Sequence, residues 1–178
     1  MKKTRIFVCI IFITVLVSLL SGCVARVPIP EIKEGRFDFS VTYEINGTQT
    51  TYTGVYVCKY DGVYITCVGK GIEWEGYIEN EKDEDVAIQT NEDGVIYVNF
   101  GFFPEYFMGD PSAEHYSVPE PNLYMIYHGD DPDSLDITSD EDVISGYGVR
   151  LISYEYADPI ENSFEEKLSF GHFEPSIN

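Results

Sequence analysis

Alternation of apolar and polar residues is the feature that most narrows the folds open to this chain. Residues 37–45 read FDFSVTYEI, in which every second side chain is aromatic or aliphatic. This period of two is typical of a strand with one buried face, because successive side chains of a strand point to opposite sides. Asn46-Gly47 follows directly, and this dipeptide readily takes the positive φ angles of a tight hairpin turn. A strand and a hairpin are therefore predicted at the start of the folded domain.

Short strands separated by turns continue to residue 156. The further strands are predicted over residues 48–60, 63–69, 72–78, 86–90, 95–100, 122–128 and 149–156. Hairpin turns are expected at Asp61-Gly62 and at residues 91–94, and Gly54 is expected to mark a bulge or kink. One short helix is predicted after Ser139, and a single helical turn near Glu105 to Met108.

This pattern indicates a mainly β fold, either an antiparallel β-sandwich or a small barrel or meander, with one short helix. A doubly wound α/β fold would require alternating helices of ten or more residues, which the sequence does not contain. The loop over residues 101–121, with four prolines and many rings, has no strand period.

The first 22 residues have the organisation of a secretory signal. A basic start is followed by fifteen mostly apolar residues over 6–20, fewer than the roughly 20 that a membrane-spanning helix needs. Residues 20–23 read LSGC, which resembles the lipobox of bacterial lipoproteins. The resemblance implies that Cys23 becomes the N-terminus after cleavage and carries a diacylglycerol that holds the protein at the membrane. The alternative is an ordinary secretory signal in which the cysteine occurs by chance.

These features divide the chain into four parts. Residues 1–22 are predicted to be a cleaved signal peptide, residues 23–36 a lipidated tether, residues 37–164 one β-rich domain and residues 165–178 a C-terminal tail.

The chain without its leader is strongly acidic. Loss of the leader removes three bases and no acids, which leaves 8 basic and 31 acidic side chains and a formal charge of −23. Such a charge keeps the domain away from an anionic bilayer or cell-wall polymer. It also disfavours a nucleic-acid partner, because phosphate binding depends on clustered lysine and arginine.

Two cysteines remain once the leader and the lipid site are set aside, and export permits a disulfide between Cys58 and Cys67. A two-residue turn at Asp61-Gly62 would pair Cys58 with Ile65 and leave the two cysteines diagonal to each other. Diagonal positions lie about 7 to 8 Å apart, whereas the Cα atoms of a disulfide usually lie within about 6.8 Å. The bond would therefore need another register or a bulge, and two buried free thiols are the alternative.

Aromatic residues are abundant, with 14 Tyr, 11 Phe and one Trp. A platform on which a sugar stacks could be formed by Trp74, Tyr77, Phe102, Phe103 and Tyr106, together with Tyr97 and Phe107. The alternative is that these rings form the core and the cover of the long loop. A shared exposed patch would favour the platform.

Sequence motifs for catalysis are not found. The three histidines, His115, His128 and His172, are scattered, and the chain contains no GxSxG, CxxC or HExxH motif. No catalytic residue, cofactor or metal site is therefore predicted. A carboxylate-dependent hydrolase stays open, because one sequence does not distinguish a catalytic pair among 31 acids.

The acidic stretch over residues 130–142 could offer Asp131, Asp133 and Asp136 to calcium. An EF-hand loop needs an oxygen ligand at its fifth position and glycine at its sixth, and the residues there are Leu135 and Asp136. A solvated acidic loop is the alternative.

Three stretches carry a resemblance to a family. TYEING at 42–47, GVYVCKYDGV at 54–63 and YGVRLISYEYADPIENSF at 147–164 resemble small lipoproteins of Gram-positive bacteria with a signal, a short tether and one β-rich domain. This family has no assigned activity, so the resemblance implies membrane anchoring through Cys23 and no catalytic residues.

These observations predict a membrane-anchored lipoprotein on the extracytoplasmic face, whose domain is a non-enzymatic binding or interaction module for a protein or glycan partner. A carbohydrate-binding β-sandwich module is the first alternative, and a carboxylate-dependent hydrolase is the second.

Overall fold

A computed structural model describes residues 24–65, 69–81, 85–115, 118–128 and 134–170. Most of these residues lie in strands, which confirms the predicted mainly β class. The strands are β1 (Val24–Pro30), β2 (Glu34–Ile45), β3 (Thr48–Ile65), β4 (Lys70–Ile78), β5 (Asp85–Thr90), β6 (Gly94–Asn99), β7 (Asn122–His128), β8 (Leu135–Thr138), β9 (Val149–Tyr156) and β10 (Phe164–Phe170). Two short helices, α1 (Pro104–Phe107) and α2 (Glu141–Gly146), and a 3₁₀ turn (Pro111–His115) complete the described structure.

The strands form two four-stranded sheets and one two-stranded sheet. Sheet I has the order β4-β3-β2-β9, sheet II has the order β5-β6-β7-β8, and β1 pairs with β10. Within sheet I, β2 pairs antiparallel with both β3 and β9, and every neighbouring pair of sheet II is antiparallel. Both four-stranded sheets are open within the described ranges, so the architecture is a sandwich and not a closed barrel.

The described residues form two compact units. The smaller unit contains residues 24–31, 61–65, 69–73 and 163–170, with the antiparallel β1–β10 pair and the completely buried Val27. The larger unit contains residues 32–60 and the described part of 74–162. Sheet II lies entirely in this larger unit, together with both helices and the main core.

The core of the larger unit lies between the two sheets. Alternate residues of β2, namely Phe37, Phe39 and Val41, point inward and are at most 5% exposed. They pack with the buried side chains Tyr56, Cys58, Ile78, Val98, Phe100, Phe107 and Met108. A second, smaller cluster consists of Ile144 of α2 packed with Ile96, Met125 and Val149. The period of two that predicts the strand is therefore the pattern that fills this core.

The predicted hairpin at Asp61-Gly62 is wrong. Strand β3 runs without a break from Thr48 to Ile65, so Asp61 and Gly62 lie within a strand. Gly62 has a φ angle of 148°, a value open to glycine, which lets the strand continue where the dipeptide alone favours a turn. The Asn46-Gly47 turn is confirmed, with φ angles of 50° and 81°.

Gly54 does not mark the expected bulge. It allows the Phe39 ring to pack closely against the backbone of β3. Its pairing with Phe39 on β2 is in continuous register, and a Cβ atom at Gly54 would lie 2.8 Å from the Phe39 ring. The irregularity of this sheet falls instead between Thr42 and Tyr43, in the pairing of β2 with β9.

Strands also occur where the sequence predicts none. The segment assigned to the tether contains β1 and the start of β2, and the segment assigned to the tail contains most of β10. Pro28 and Pro30 weaken the local strand signal of β1, but proline is tolerated where the backbone N–H needs no partner, as in a two-stranded sheet. The sequence pattern also does not predict strand β8.

Helix α2 is confirmed, although Asp140, not Ser139, caps it by accepting the backbone N–H groups of Asp142 and Val143.

Gly94 offers a test of the β6–β7 pairing. A methyl group at this position would come within 2.2 Å of the carbonyl oxygen of Ile126, which belongs to the backbone and cannot rotate away. We expect Gly94→Ala to lower the free energy of unfolding by about 2 kcal/mol or more, measured by urea denaturation.

Gly146→Ala is the matched control. Among the described residues, nothing lies within 4 Å of an added methyl group on Gly146 of α2. This variant should raise the stability by about 0.5–1 kcal/mol, because alanine favours a helix over glycine. Equal stability of the two variants would contradict the described pairing of β6 with β7.

Candidate functional site

The predicted lipid site and one predicted disulfide partner, Cys23 and Cys67, lie outside the described residues. Cys58 is completely buried in the main core, and Gly35 of β2 is its partner in register. Because β3 continues past Asp61, Cys58 and Ile65 lie on the same strand and cannot pair across a hairpin. The lipid on Cys23 and the Cys58–Cys67 disulfide both stay predictions.

The five rings of the predicted platform do not share one surface. On β4, Trp74 and Tyr77 are an odd number of residues apart, so their side chains lie on opposite faces of the sheet. Trp74 packs against the main core, whereas the Tyr77 ring lies 5.1 Å from the Lys59 ammonium group.

The other three residues of the predicted platform come from the long loop and α1. Phe102 stacks on the buried Tyr56 with 4.2 Å between ring centroids. Tyr106 packs edge-on against the buried Phe107, at 5.3 Å. Phe103, at 38% exposure, is the most accessible of the three. Most of these rings therefore belong to the core and to the cover of the long loop, which is the alternative to a sugar-binding platform.

Trp74 has a specific polar partner in the buried carboxylate of Asp110. The indole N–H donates to Oδ2 of Asp110 at 2.8 Å. The other oxygen, Oδ1, accepts the backbone N–H and the hydroxyl of Ser112 at 2.8 and 2.7 Å. Asp110 is only 6% exposed, and these bonds compensate for its removal from water. The group joins β4 to the 3₁₀ turn and is structural.

A concave cleft with an apolar floor lies at one side of the sandwich. We name it the edge cleft; its volume is about 310 Å³, and it lies between the start of β7, helix α2 and strand β9. The floor consists of Pro121, Leu123, Ile144, Val149 and Leu151. The rim consists of Asn122, Ser139, Glu141, Asp142, Ser145 and Arg150.

The rim of the edge cleft has a negative balance of charge. Arg150 is held by Glu44 through two hydrogen bonds, from Nε at 2.9 Å and from Nη2 at 3.0 Å, so most of its charge is already matched. Glu141 and Asp142 are exposed on the first turn of α2. Local sequence patterns did not predict this cleft, because its residues come from three segments that only the fold brings together.

A second candidate surface lies on the outer side of sheet II. We name it the tyrosine face; it consists of Asp85, Ala87, Tyr97, Asn99, Asn122 and Tyr124, which occupy matching positions on β5, β6 and β7. Tyr97 and Tyr124 are direct neighbours in register, with centroids 5.2 Å apart and planes inclined by 11°.

Asp85 fixes the polar part of the tyrosine face. One of its oxygens accepts the Tyr124 hydroxyl at 2.8 Å, and the other accepts the amide Nδ2 of Asn99 at 2.6 Å. Burial and the neighbouring Asp85 carboxylate raise the pKa of Tyr124 above its usual range. The Tyr124 hydroxyl therefore stays protonated and donates to Asp85 at neutral pH.

A third, shallower depression of about 680 Å³ on the outer side of sheet I brings Asp38 and Glu155 to one surface. Both carboxylates are exposed. A catalytic acid of a hydrolase is typically desolvated, so this depression does not support the hydrolase alternative.

The calcium hypothesis rests mainly on residues outside the described ranges, since Asp131 and Asp133 lie there. Asp136 is exposed on β8, where it pairs in register with Tyr127. Across the described ranges, no group of three or more His, Cys, Asp and Glu side chains could hold a metal ion. His128 is exposed on β7, and His172 lies outside the described residues.

Comparison with protein-family models, with curated proteins and with solved structures finds no match for this chain. In the part of the chain that the structure describes, none of the helices has the length and apolar character needed to cross a membrane.

The Trp74–Asp110 contact gives a stability prediction. Asp110→Ala removes the acceptor of a partly buried indole N–H, which should lower the free energy of unfolding by about 1–3 kcal/mol. Denaturant titration checks this loss, and Trp74 is the single tryptophan of the chain, so its fluorescence reports the local change directly.

The exposed Asp158 supplies the control, and Asp158→Ala should leave both readings unchanged. In the Trp74→Phe background, Asp110→Ala should cost less than in the wild type, since the indole donor is already absent. Additive losses in the double variant would contradict the contact.

Proposed function

We propose that this chain is a lipid-anchored protein of the extracytoplasmic face of the membrane, with a non-enzymatic binding domain. The support for the anchor is the leader with its LSGC exit, in which Cys23 would receive the lipid. The support for the location is the same leader, together with an acidic body that an anionic membrane surface repels. A lipid tether would hold such a body near the membrane without a spanning helix.

The edge cleft is the binding site in this proposal, and its concave apolar floor is the observation that carries it. Its volume of about 310 Å³ lies at the lower end of the range usual for small-ligand pockets. Leu123 and Leu151 are only partly buried at this floor, so an apolar group that entered the cleft would remove their surface from water.

The rim indicates which charge the ligand carries. Because Glu44 already matches Arg150, the carboxylates of Glu141 and Asp142 determine the field at the entrance. A ligand with a small apolar body and a positive charge suits this arrangement, and an anionic one does not. A basic and apolar segment of a partner protein has this chemistry.

Ser145→Lys tests the edge cleft, with Val143→Lys as its control. Both residues are exposed on α2, but Ser145 lines the cleft and Val143 does not. The probes are hexylammonium and hexanoate, titrated into the full chain and followed by NMR. Wild type and Val143→Lys should bind hexylammonium in preference to hexanoate, whereas Ser145→Lys should weaken hexylammonium binding about tenfold, through a new positive charge and a blocked entrance.

Two results would count against the edge cleft as the site. One is equal binding of the two probes by the wild type. The other is the same loss in Val143→Lys as in Ser145→Lys.

Lipidation is tested by metabolic labelling with palmitate in a bacterial host. The wild type should be labelled, should sediment with membranes and should be degraded by protease added to intact cells. Cys23→Ala should lose the label and leave the membrane fraction, while Cys58→Ala should keep the label. Wild-type protein that is unlabelled, or protected inside intact cells, would refute the anchor and the location together.

A further inference from the structure

The outer side of sheet II carries two parallel rows of side chains with different chemistry. Strand register places Asp85, Asn99 and Asn122 in one row across β5, β6 and β7, and Ala87, Tyr97 and Tyr124 in the next. The first row is polar, with carboxylate and amide groups, and the second is apolar and aromatic. Together these rows are the tyrosine face.

We propose that the tyrosine face binds an uncharged glycan built of pyranose units. A pyranose ring has an apolar face of C–H groups and a rim of hydroxyls. It therefore combines an apolar part and a polar part, as the tyrosine face does. Its C–H face would lie on the aromatic row, and its hydroxyls would reach the polar row beside it. The site differs from the platform expected from the sequence, since none of its five main residues belongs to the tyrosine face and only Tyr97, which is considered with them, does.

The aromatic row leaves ring surface available. One side of the Tyr97 ring stacks on Tyr124, and the other side faces β5, where the residue in register is Ala87. Ala87 is exposed and has only a methyl group as its side chain. Tyr97 is itself partly exposed, so the site for a sugar ring in this proposal is above Ala87, against the β5 side of the Tyr97 ring.

The polar row is held in place before any ligand arrives. Asp85 accepts from Asn99 at 2.6 Å and from Tyr124 at 2.8 Å, so the carboxylate and the amide have fixed orientations. Each Asp85 oxygen keeps acceptor capacity for a sugar hydroxyl, and Asn122 is exposed at the end of the row. Groups fixed in this way lose little conformational entropy on binding.

The charge of the protein selects among glycans. The formal net charge of the chain is −20, and the polar row itself contains a carboxylate. A polysaccharide that carries carboxylates or phosphates would be repelled, whereas a neutral one would not. This inference depends neither on the lipid anchor nor on the edge cleft.

Isothermal titration of the full chain tests the proposal. The protein is kept in a zwitterionic detergent without a sugar headgroup, and the probes are cellohexaose, N-acetylchitohexaose and the anionic hexagalacturonate. We expect saturable binding of at least one neutral hexasaccharide and none of hexagalacturonate. Tyr97→Ala should weaken the binding about fivefold or more, and Tyr97→Phe should retain it, because the ring and not the hydroxyl stacks on the sugar.

A matched pair on β5 keeps the test independent of folding. Ala87 and Thr90 are both exposed, and each can be changed to glutamate without touching the core. Ala87→Glu places a bulky anion where the sugar ring would lie and should abolish the binding. Thr90→Glu adds the same charge beside Val95, outside the two rows, and should leave the affinity within about twofold.

Three results would overturn the proposal. They are no binding of either neutral hexasaccharide by the wild type, an affinity for hexagalacturonate equal to that for a neutral hexasaccharide, and unchanged binding in Ala87→Glu. A loss in Thr90→Glu as large as that in Ala87→Glu would also overturn it, because it would show a general effect of charge.

Discussion

The packing of Phe39 against the aromatic rings around it is the contact on which the sandwich depends. Its centroid lies 4.9 Å from that of Phe100 and 4.8 Å from that of Phe102, so a ring of sheet I joins two rings that follow sheet II. Gly54 makes this possible, since any side chain there would meet the Phe39 ring at 2.8 Å. Tyr156 closes the cluster, and its hydroxyl donates to the carbonyl of Phe100 at 2.6 Å. Such contacts fill the interior and leave the perimeter and outer surfaces for binding.

The two proposed binding surfaces follow from this filled interior, and they differ in physical character. The edge cleft is concave, because α2 lies over the second core cluster and leaves a gap toward β9. The tyrosine face consists of two rows of side chains on the outer side of an antiparallel sheet, where Ala87 and Asn122 are exposed. A cleft suits an apolar group that can be enclosed, whereas a row suits an extended polymer.

Acidity links these surfaces to the proposed location. An acidic body on the proposed lipid tether would stay clear of anionic lipid and anionic wall polymer, would attract basic partners and would not repel neutral ones. The edge cleft has Glu141 and Asp142 at its entrance, and the tyrosine face has Asp85 at its centre. The structure matches Arg150 with Glu44, so this cation does not offset the acidic entrance of the cleft.

Local sequence determined the strand content, most strand positions, the Asn46-Gly47 turn and the two short helices, because alternation and turn chemistry act between residues a few positions apart. It failed at Gly62, where strand pairing overrides a dipeptide that favours a turn, and at β1 and β10, which are strands only because they pair with each other across the whole chain. Which rings are buried, which face outward and which residues share a cleft were decided by tertiary structure alone. The period of a strand assigns a side chain to one of two faces, but the face that is covered depends on contacts between segments far apart in the sequence.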